Sequence, residues 1–559
     1  MGHVLPVERL DARPSRGLLI TAAVALAFAA VAGQLVRLAA SGRPAVTLNL
    51  SEAIAKSYAR PDLLDRNGRL LATDIAAPSL FADPALVLDR NEMIEKLVQI
   101  LPDLDEKELR RSLSDRGRRF VWVRRGLAPG TAQRIHDLGL PGLAFRRELR
   151  RAYPAGSLAG HTLGSVDVDN KGLAAIERYV DEVVGLEPVH SATPTDRPPV
   201  RLSLDLGVQH ALDDELADAS RRYRARGAAA VVLDVVSGEV LAAASLPGVD
   251  PSRSVEVLDA GRLDKLAGGT YELGSIYKTM TIAMALDAGR AKLDTRVDVR
   301  VPLTAGRFTI KDLHPAGRPL SVAEVFLHSS NVGAGLLALD AGSERQRAFL
   351  AALGLTAPMR TELGPVAPPL VPERWERAQT ITIAYGHGLA VAPIQFAAAA
   401  AALLNGGHRV TPTFLRRAPE EVSPGPRVIS EETSARIREL MRRNVTDRAG
   451  TGRRADVPGL RVGGKTGTAE LPGRGGYRRN AVISSFLAAF PMDAPRYLTL
   501  LMLFEPKPTP ETLGQVTAGA NAAPATGRLI ARIAPLLGVA ETAAAAETAR
   551  FDAPHGAKY

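Results

Sequence analysis

The hydrophobic pattern of this chain begins with one long uncharged run near the N-terminus. Residues 17–36 read GLLITAAVALAFAAVAGQLV and contain no charged side chain. A helix of about 20 apolar residues is long enough to cross the hydrocarbon core of a bilayer. The run therefore predicts a transmembrane anchor over residues 17–37, and no second segment of comparable length and apolarity follows.

The charges beside this run predict its orientation. Three arginines precede it, namely Arg9, Arg13 and Arg16. By the positive-inside rule, residues 1–16 form a cytoplasmic tail and the rest of the chain lies outside. A cleaved signal peptide with a site near 39–41 is the alternative, although its apolar region is typically only about 7–15 residues long.

Residues 40–195 form a first extracytoplasmic region with short predicted elements. Asn67-Gly68 is a turn signal between two apolar runs. The spacing of apolar residues predicts a helix over 91–114 with Asn91 as its N-cap, and residues 120–123 predict a strand. This region carries no recognisable catalytic constellation.

A stretch rich in proline and threonine, 187–199, predicts a linker to a second region over 196–540. This region opens with two strands in 227–247, joined at Ser237-Gly238, and later elements are predicted as strands at 485–491 and 497–505 and a closing helix near 524–537. The order predicts an α+β fold, an antiparallel sheet with helices packed on it. The alanine-rich tail, 541–559, is expected to be disordered.

Composition limits the chemistry. The chain of 559 residues has no cysteine, which excludes disulfides, thiolate metal sites and a thiol nucleophile. No cluster of metal-ligating residues is evident, so no metal is expected. The net charge is +10, but arginines alternate with acidic residues along most of the chain. This pattern argues against nucleic acid and favours an anionic membrane surface or cell-wall polymer as partner.

The first chemical motif is Ser275-Ile276-Tyr277-Lys278. Residues three apart on a helix share one face, so Lys278 can reach the Ser275 hydroxyl if a helix begins near Ser275. A serine hydroxyl needs such a base to become a nucleophile. Gly274 permits a tight turn before the serine, and the helix N-terminus favours a developing negative charge.

Two further motifs follow, Ser329-Ser330-Asn331 and Lys465-Thr466-Gly467-Thr468. Burial and a second cation, Lys465, would lower the pKa of Lys278 so that the amine could accept a proton. Ser329 could relay a proton to the leaving amine, and Asn331 could hold the substrate amide and Lys278. Each motif alone is weak, but the ordered triple is specific.

The third motif lies in a predicted strand, 463–469, whose side chains are small. A substrate peptide could add to it as a further strand. The hydroxyls of Thr466 and Thr468 could hold a substrate carboxylate beside Gly467. The backbone N–H groups of Ser275 and Thr468 would make an oxyanion hole.

With these motifs the chain resembles a class B penicillin-binding protein, most closely the division-specific (septal) peptidoglycan D,D-transpeptidases. Collinear shorter motifs extend the resemblance over about 55–535, namely Asp65-Arg66-Asn67-Gly68, Arg151-x-Tyr153-Pro154-x-Gly156, Gly172-x-x-x-Ile176-Glu177, Tyr385-Gly386-x-Gly388, Asn405-Gly406-Gly407 and Gly450-Thr451-Gly452. The resemblance implies an elongated pedestal of the penicillin-binding protein dimerisation type over 40–195 and a serine β-lactamase-like transpeptidase domain over 196–540.

The resemblance also implies the reaction and the partners. Ser275 would attack the penultimate D-Ala carbonyl of a peptidoglycan stem peptide, on glycan strands derived from a lipid-linked precursor, and an amine of a neighbouring stem peptide would close the cross-link. β-Lactams would trap Ser275, and no cofactor is needed. A membrane glycosyltransferase of the division machinery and other divisome proteins are the implied partners, in the bacterial inner membrane.

Two positions depart from the family pattern, and three alternatives stay open. Pro61 stands where the family usually has Gly, and Gly160 stands where it often has Ala. A serine β-lactamase would need a deacylating base, and no Glu-x-x-Leu-Asn element follows Asn331. An elongation-type class B transpeptidase commonly carries Asp where Asn331 stands. A noncatalytic divisome scaffold or β-lactam sensor would keep the fold without the reaction.

Overall fold

The computed structural model describes residues 16–40, 57–189, 197–305, 308–473 and 476–539. The predicted tails at both ends, apart from Arg16, and the centre of the predicted linker lie outside these residues. The helices are α1 Arg16–Ala40, α2 Arg90–Ile100, α3 Glu106–Ser112, α4 Pro129–His136, α5 Gly160–Leu163, α6 Ala175–Tyr179, α7 Leu206–Arg222, α8 Ser254–Val257, α9 Lys278–Asp287, α10 Val322–Leu327, α11 Asn331–Ala341, α12 Ser343–Ala352, α13 Arg377–Ala384, α14 Pro393–Ala402, α15 Glu431–Thr446 and α16 Ala522–Leu536.

The strands are mostly short in the first half of the chain and long near its end. They are β1 Ser57–Ala59, β2 Leu63–Leu64, β3 Leu70–Ala82, β4 Val121–Arg124, β5 Leu143–Ala152, β6 Glu187–Val189, β7 Val200–Arg201, β8 Gly227–Asp234, β9 Val240–Leu246, β10 Arg296–Val297, β11 Leu303–Ala305, β12 Phe308–Ile310, β13 Leu320–Ser321, β14 Arg360–Thr361, β15 Gly364–Pro365, β16 Gly463–Gly473, β17 Gly476–Phe490 and β18 Tyr497–Phe504.

The chain divides into two compact units. Of the described residues, the first unit contains 16–40, 80–123 and 133–144, and the second contains 57–79, 124–132, 145–189, 197–305, 308–473 and 476–539. The domain boundaries that the sequence suggests, near residues 195 and 540, stay predictions.

The predicted anchor forms a continuous helix. Within α1, the window Ile20–Arg37 has a mean hydropathy of 1.7 and none of it is buried. A 25-residue helix is about 37 Å long at 1.5 Å per residue, which exceeds the thickness of a hydrocarbon core. The helix is therefore long and apolar enough to cross a membrane.

The prediction of one helix over 91–114 is wrong. The segment forms two helices, α2 and α3, because Pro102 cannot continue the hydrogen-bonding pattern of the first. Asp89, not Asn91, is the N-cap of α2, since its side chain accepts from Asn91 N at 2.8 Å. Asp105 caps α3 by accepting from Glu108 N at 2.9 Å.

The second unit is built on a five-stranded antiparallel sheet with the order β16-β17-β18-β8-β9. Every residue of β8 and β18 is buried, which explains why both strands are apolar except for Asp234 and Thr499. Alternate residues of β8 enter different cores: Ala230 and Val232 share a core with residues of α7 and α16, whereas Val231 and Leu233 share one with residues of α9 and α14. The predicted α+β architecture and the β8–β9 hairpin are confirmed.

The topology brings the three motifs together. Strand β16 is at the edge of the sheet and carries Lys465. A 3₁₀ turn over Gly274–Tyr277 packs against β16 and leads directly into α9. Helix α11 begins at Asn331 and packs against α9, so the second motif lies at the same end of the buried α9 helix.

Candidate active site

Ser275 lies in a tight turn held against the edge strand. Gly274 has a φ of +59°, a conformation that favours glycine, and its N–H donates to Gly386 O at 3.2 Å. A Cβ at Gly274 would lie 2.8 Å from Thr468 O, so only a glycine allows the turn to approach β16 this closely. The predicted tight turn is confirmed, although the first turn after it is 3₁₀ rather than α-helical.

Lys278 is fully buried and is surrounded by oxygen acceptors. Its Nζ lies 2.8 Å from Ser275 Oγ, 2.7 Å from Asn331 Oδ1 and 2.8 Å from the carbonyl oxygen of Ser329. It also lies 3.1 Å from Ser329 Oγ. The amine is therefore fixed between the candidate nucleophile and the second motif.

Ser329 adopts a strained backbone conformation that directs two of its oxygens at lysines. Its φ of +57° is in the left-handed region, which costs a non-glycine residue about 1–3 kcal/mol. The carbonyl oxygen faces Lys278, and the hydroxyl lies 3.0 Å from Lys465 Nζ. Strain concentrated at such a position is typical of functional sites.

Asp312 fixes the second motif from outside it. Its carboxylate accepts from Ser330 Oγ at 2.6 Å, from Asn331 N at 2.6 Å and from Val332 N at 3.0 Å. Ser330 Oγ in turn accepts from Gly333 N and caps α11. The carboxylate thus satisfies N–H groups at the start of α11 that have no partner within the helix.

Lys465 is also fully buried, with Nζ 3.1 Å from Thr466 O and 5.7 Å from the centre of the Phe326 ring. Burial lowers the pKa of Lys465 to about 7, because a low-dielectric surrounding disfavours the charged form. Burial and the nearby Lys465 hold the pKa of Lys278 well below its usual value, while Asp312 acts in the opposite direction. The neutral form of each lysine is thus more accessible than it is in water.

A second set of hydrogen bonds fixes β16 from α15. Asn444, fully buried, donates from Nδ2 to Gly464 O at 2.9 Å and accepts from Thr451 N at 3.1 Å. The Thr451 and Thr466 hydroxyls lie 2.6 Å apart, and Thr468 Oγ1 accepts from Ala518 N at 3.2 Å. Both threonine hydroxyls of the third motif therefore already have partners within the chain.

Aromatic rings and one carboxylate lie next to the nucleophile turn. Glu272 accepts from Tyr477 Oη at 2.8 Å and from Gly388 N at 2.7 Å. The His387 ring lies 5.4 Å from that of Tyr477 and 5.3 Å from that of Tyr385. Burial lowers the pKa of His387, which favours the neutral imidazole.

Comparison with known proteins identifies the family. The penicillin binding protein transpeptidase domain matches residues 228–530, and the penicillin-binding protein dimerisation domain matches residues 56–187. Over 489 residues the chain is 42% identical to a probable peptidoglycan D,D-transpeptidase FtsI of Caulobacter vibrioides, covering 86% of this chain and 82% of that protein. The chain belongs to the class B penicillin-binding proteins. Within that class its similarity is to the division-type FtsI proteins.

Two more distant proteins agree with this assignment. The peptidoglycan D,D-transpeptidase FtsI of Escherichia coli is 28% identical, with 85% of this chain and 83% of that protein covered. The crystal structure of penicillin binding protein 3 from Mycobacterium tuberculosis matches with a TM-score of 0.66 at 25% identity, over 87% of this chain and 98% of the other. The fold of a penicillin-binding transpeptidase is thereby confirmed.

The five residues predicted to be catalytic in this penicillin-binding protein come together through the hydrogen bonds of Lys278 and Lys465. Their chemical roles stay predictions, as do those of Thr466, Gly467 and Thr468. Asp312, Asn444 and Glu272 were not among the predicted site residues. The Gly450-Thr451-Gly452 motif was a signal for Thr451, a hydrogen-bond partner of Asn444. Asp312 lies in a turn-rich loop without such a signal.

Within the described ranges, no group of three or more His, Cys, Asp or Glu side chains is placed to hold a metal ion. The side chains around Ser275 instead supply amines, hydroxyls and an amide.

Proposed function

We propose that this chain is a peptidoglycan D,D-transpeptidase that cross-links stem peptides through an acyl-enzyme on Ser275 during septal cell-wall synthesis. The observation that carries the proposal is the 2.8 Å hydrogen bond between Lys278 Nζ and Ser275 Oγ, formed by a lysine that is fully buried. The relatives from C. vibrioides and E. coli carry this activity in their names.

Lys278 is the general base in this proposal, and its neighbours favour the neutral amine. Two of the oxygens around Nζ, Ser329 O and Asn331 Oδ1, can only accept hydrogen bonds. A neutral amine donates one N–H to each of them, which leaves its lone pair for the Ser275 hydroxyl proton. The lowered pKa of Lys278 supports the same protonation state.

The first half-reaction transfers the stem peptide to the enzyme. Lys278 Nζ takes the hydroxyl proton as Ser275 Oγ bonds to the penultimate D-Ala carbonyl carbon. The bond from that carbon to the terminal D-Ala nitrogen then breaks, and the leaving amine takes a proton through Ser329 Oγ. Ser329 suits this relay because its hydroxyl is in reach of both lysines.

The second half-reaction uses the same groups in reverse. An amine of a neighbouring stem peptide attacks the acyl carbon and gives a proton through Ser329 Oγ to the lysine pair. The bond between Ser275 Oγ and the acyl carbon breaks, and Lys278 returns the proton to Ser275. The new amide is the cross-link, and the enzyme returns to its starting state.

The edge strand β16 is the substrate platform in this proposal. The donor stem peptide adds to it as a further strand, near Gly467, with the hydroxyls of Thr466 and Thr468 toward its carboxylate. The N–H groups of Ser275 and Thr468 form the oxyanion hole. The close approach of Gly274 to Thr468 O supports this arrangement.

The cellular context is proposed from the family and the anchor. The chain is a single-pass protein of the bacterial inner membrane, with its N-terminus in the cytoplasm and its catalytic domain outside. Its partners are a membrane glycosyltransferase of the division machinery and other divisome proteins. The similarity to FtsI proteins and the membrane-length helix α1 support this context.

The test is the product of the reaction. Full-length wild type, S275A and the exposed control S252A are supplied with a glycan polymerase and lipid-linked precursor, and the muramidase digest is analysed by mass spectrometry. Wild type and S252A are expected to give cross-linked dimers that disappear with S275A or added penicillin. Dimers that persist both with S275A and with added penicillin would refute the proposal.

The penicillin arm of this experiment and depletion of the protein in cells separate the alternatives. Rapid turnover of the added penicillin without dimers would indicate a β-lactamase. Growth of a depleted strain rescued by S275A would indicate a scaffold or sensor. Depletion that blocks elongation but not division would indicate an elongation-type transpeptidase, whereas long undivided cells are expected here.

A further inference from the structure

A polar cleft of about 520 Å³ lies beside the last turn of α15, within the second unit. It is separate from the hydrogen bonds around Ser275, and none of the proposed catalytic groups lines it. Its lining comes from α15, from the 3₁₀ turn Arg453–Ala455 and from the residue after that turn: Arg442, Val445, Thr446, Arg453, Arg454 and Asp456.

The segment that lines the cleft is rich in arginine. Residues 442–461 contain six arginines and two aspartates, a net charge of +4, whereas the whole chain of 559 residues has a net charge of +10. Three of these arginines line the cleft, against one carboxylate. Such an excess attracts anions and raises their local concentration.

The lining arginines differ in how firmly they are held. The side chain of Arg442 is 14% exposed, and its Nη1 donates to Asp456 Oδ1 at 2.9 Å and to Val462 O at 2.7 Å. The one lining carboxylate is therefore already paired. Arg454 Nη1 donates to Ala520 O at 3.2 Å, while Arg453 and Arg454 are both exposed at the cleft mouth.

We propose that this cleft is a binding site for phosphate groups. Guanidinium groups bind phosphate through parallel N–H···O hydrogen bonds. Guanidiniums that approach from both sides of a cleft suit a tetrahedral anion, whose oxygens point in several directions, better than a planar carboxylate. A phosphate monoester carries a charge of about −1.5 to −2 at neutral pH, close to the opposite of the charge that three arginines and one aspartate give the lining.

Two probes distinguish the sources of phosphate. Tripolyphosphate represents a free polyphosphate, and dihexanoyl phosphatidylglycerol below its micelle concentration represents a lipid headgroup. Binding of each to the full-length protein in zwitterionic detergent is measured by calorimetry. The test variant is R453E/R454E, and the matched control is R345E/R347E, which changes the same charge at exposed positions of α12.

We expect saturable binding of at least one probe, weakened about tenfold or more in R453E/R454E and by less than about twofold in the control. Binding of tripolyphosphate alone would assign the cleft to free phosphates, and binding of the lipid would assign it to headgroups. Unchanged penicillin labelling of R453E/R454E shows that the variant is folded. Equal binding by both variants, binding of citrate as tight as that of the probes, or no binding of either probe would overturn the proposal.

Discussion

Lys278 and Lys465 share one acceptor, the Ser329 hydroxyl oxygen, at 3.1 and 3.0 Å. Both amines are fully buried, so two like charges around one oxygen are strongly disfavoured. The pair therefore favours a state in which Lys278 is neutral. This relationship links the base of the proposed mechanism to the third motif, almost 190 residues away.

Removal of the second cation changes the pH dependence of acylation. In K465M the pKa of Lys278 is expected to rise, because Lys465 is one cause of its lowering. Lys278 then stays protonated to higher pH, and the acidic limb of the rate of penicillin acylation moves upward. The measurement is the acylation rate across pH by stopped flow, with K292M, at an exposed position, as the control. An unmoved limb in K465M would contradict the coupling.

Asp312 is expected to act in the opposite direction. Its negative charge raises the pKa of Lys278, so D312N lowers that pKa and moves the acidic limb to lower pH. The amide also has one acceptor oxygen fewer for the partly buried donors of the second motif, which costs about 0.5–1.5 kcal/mol of stability. Chemical denaturation measures this cost. D298N, which changes an exposed carboxylate, is expected to change neither the acidic limb of the acylation rate nor the stability.

Gly274 permits the approach of the nucleophile turn to β16. G274A places a Cβ 2.8 Å from Thr468 O, so we expect more than about tenfold slower acylation and a loss of about 2–4 kcal/mol of stability. G289A is the matched control, because Gly289 has a φ of +64° and its Cβ would meet nothing within 4 Å. Similar effects of the two substitutions would show that backbone strain alone, not contact with β16, is responsible.

The strain at Ser329 predicts that its glycine variant is more stable than its alanine variant, the reverse of the usual order in a helix. S329G and S329A both lack the hydroxyl, and both are expected to acylate slowly. S329G is expected to be more stable by about 1 kcal/mol, because glycine adopts a φ of +57° without penalty. At Ser434, inside α15, the order is expected to be the usual one, with the glycine variant less stable. Thermal unfolding of the four variants checks both orders.

The sequence predicted the parts of the site whose chemistry is local. Ser275 and Lys278 are neighbours on one turn, so their contact follows from helical spacing. The contact of Lys465 with Ser329 depends on the position of β16 at the edge of the sheet, and only the motif set pointed to it. Asp312 could not be predicted, because it lies in an irregular segment and its partner Ser330 is 18 residues further along the chain, beyond β13 and α10.

The prediction of helices and strands succeeded where the apolar run was continuous and failed where a single proline ended a helix. The predominantly apolar sequences of β8 and β18 and the uncharged run 17–36 within α1 gave clear patterns. The segment 91–114 kept its apolar spacing through Pro102, so periodicity alone merged two helices. Capping by Asp89 and Asp105 shows that local hydrogen bonding set both helix starts.

The central claim is that Ser275 is acylated with Lys278 as its base. The most direct measurement is intact-mass and peptide-level mass spectrometry of the full-length protein after brief exposure to benzylpenicillin. We expect one added penicilloyl group on Ser275 that persists for hours in wild type, none in S275A and a rate reduced at least about a hundredfold in K278M. An adduct on another residue, or an undiminished rate in K278M, would contradict the account.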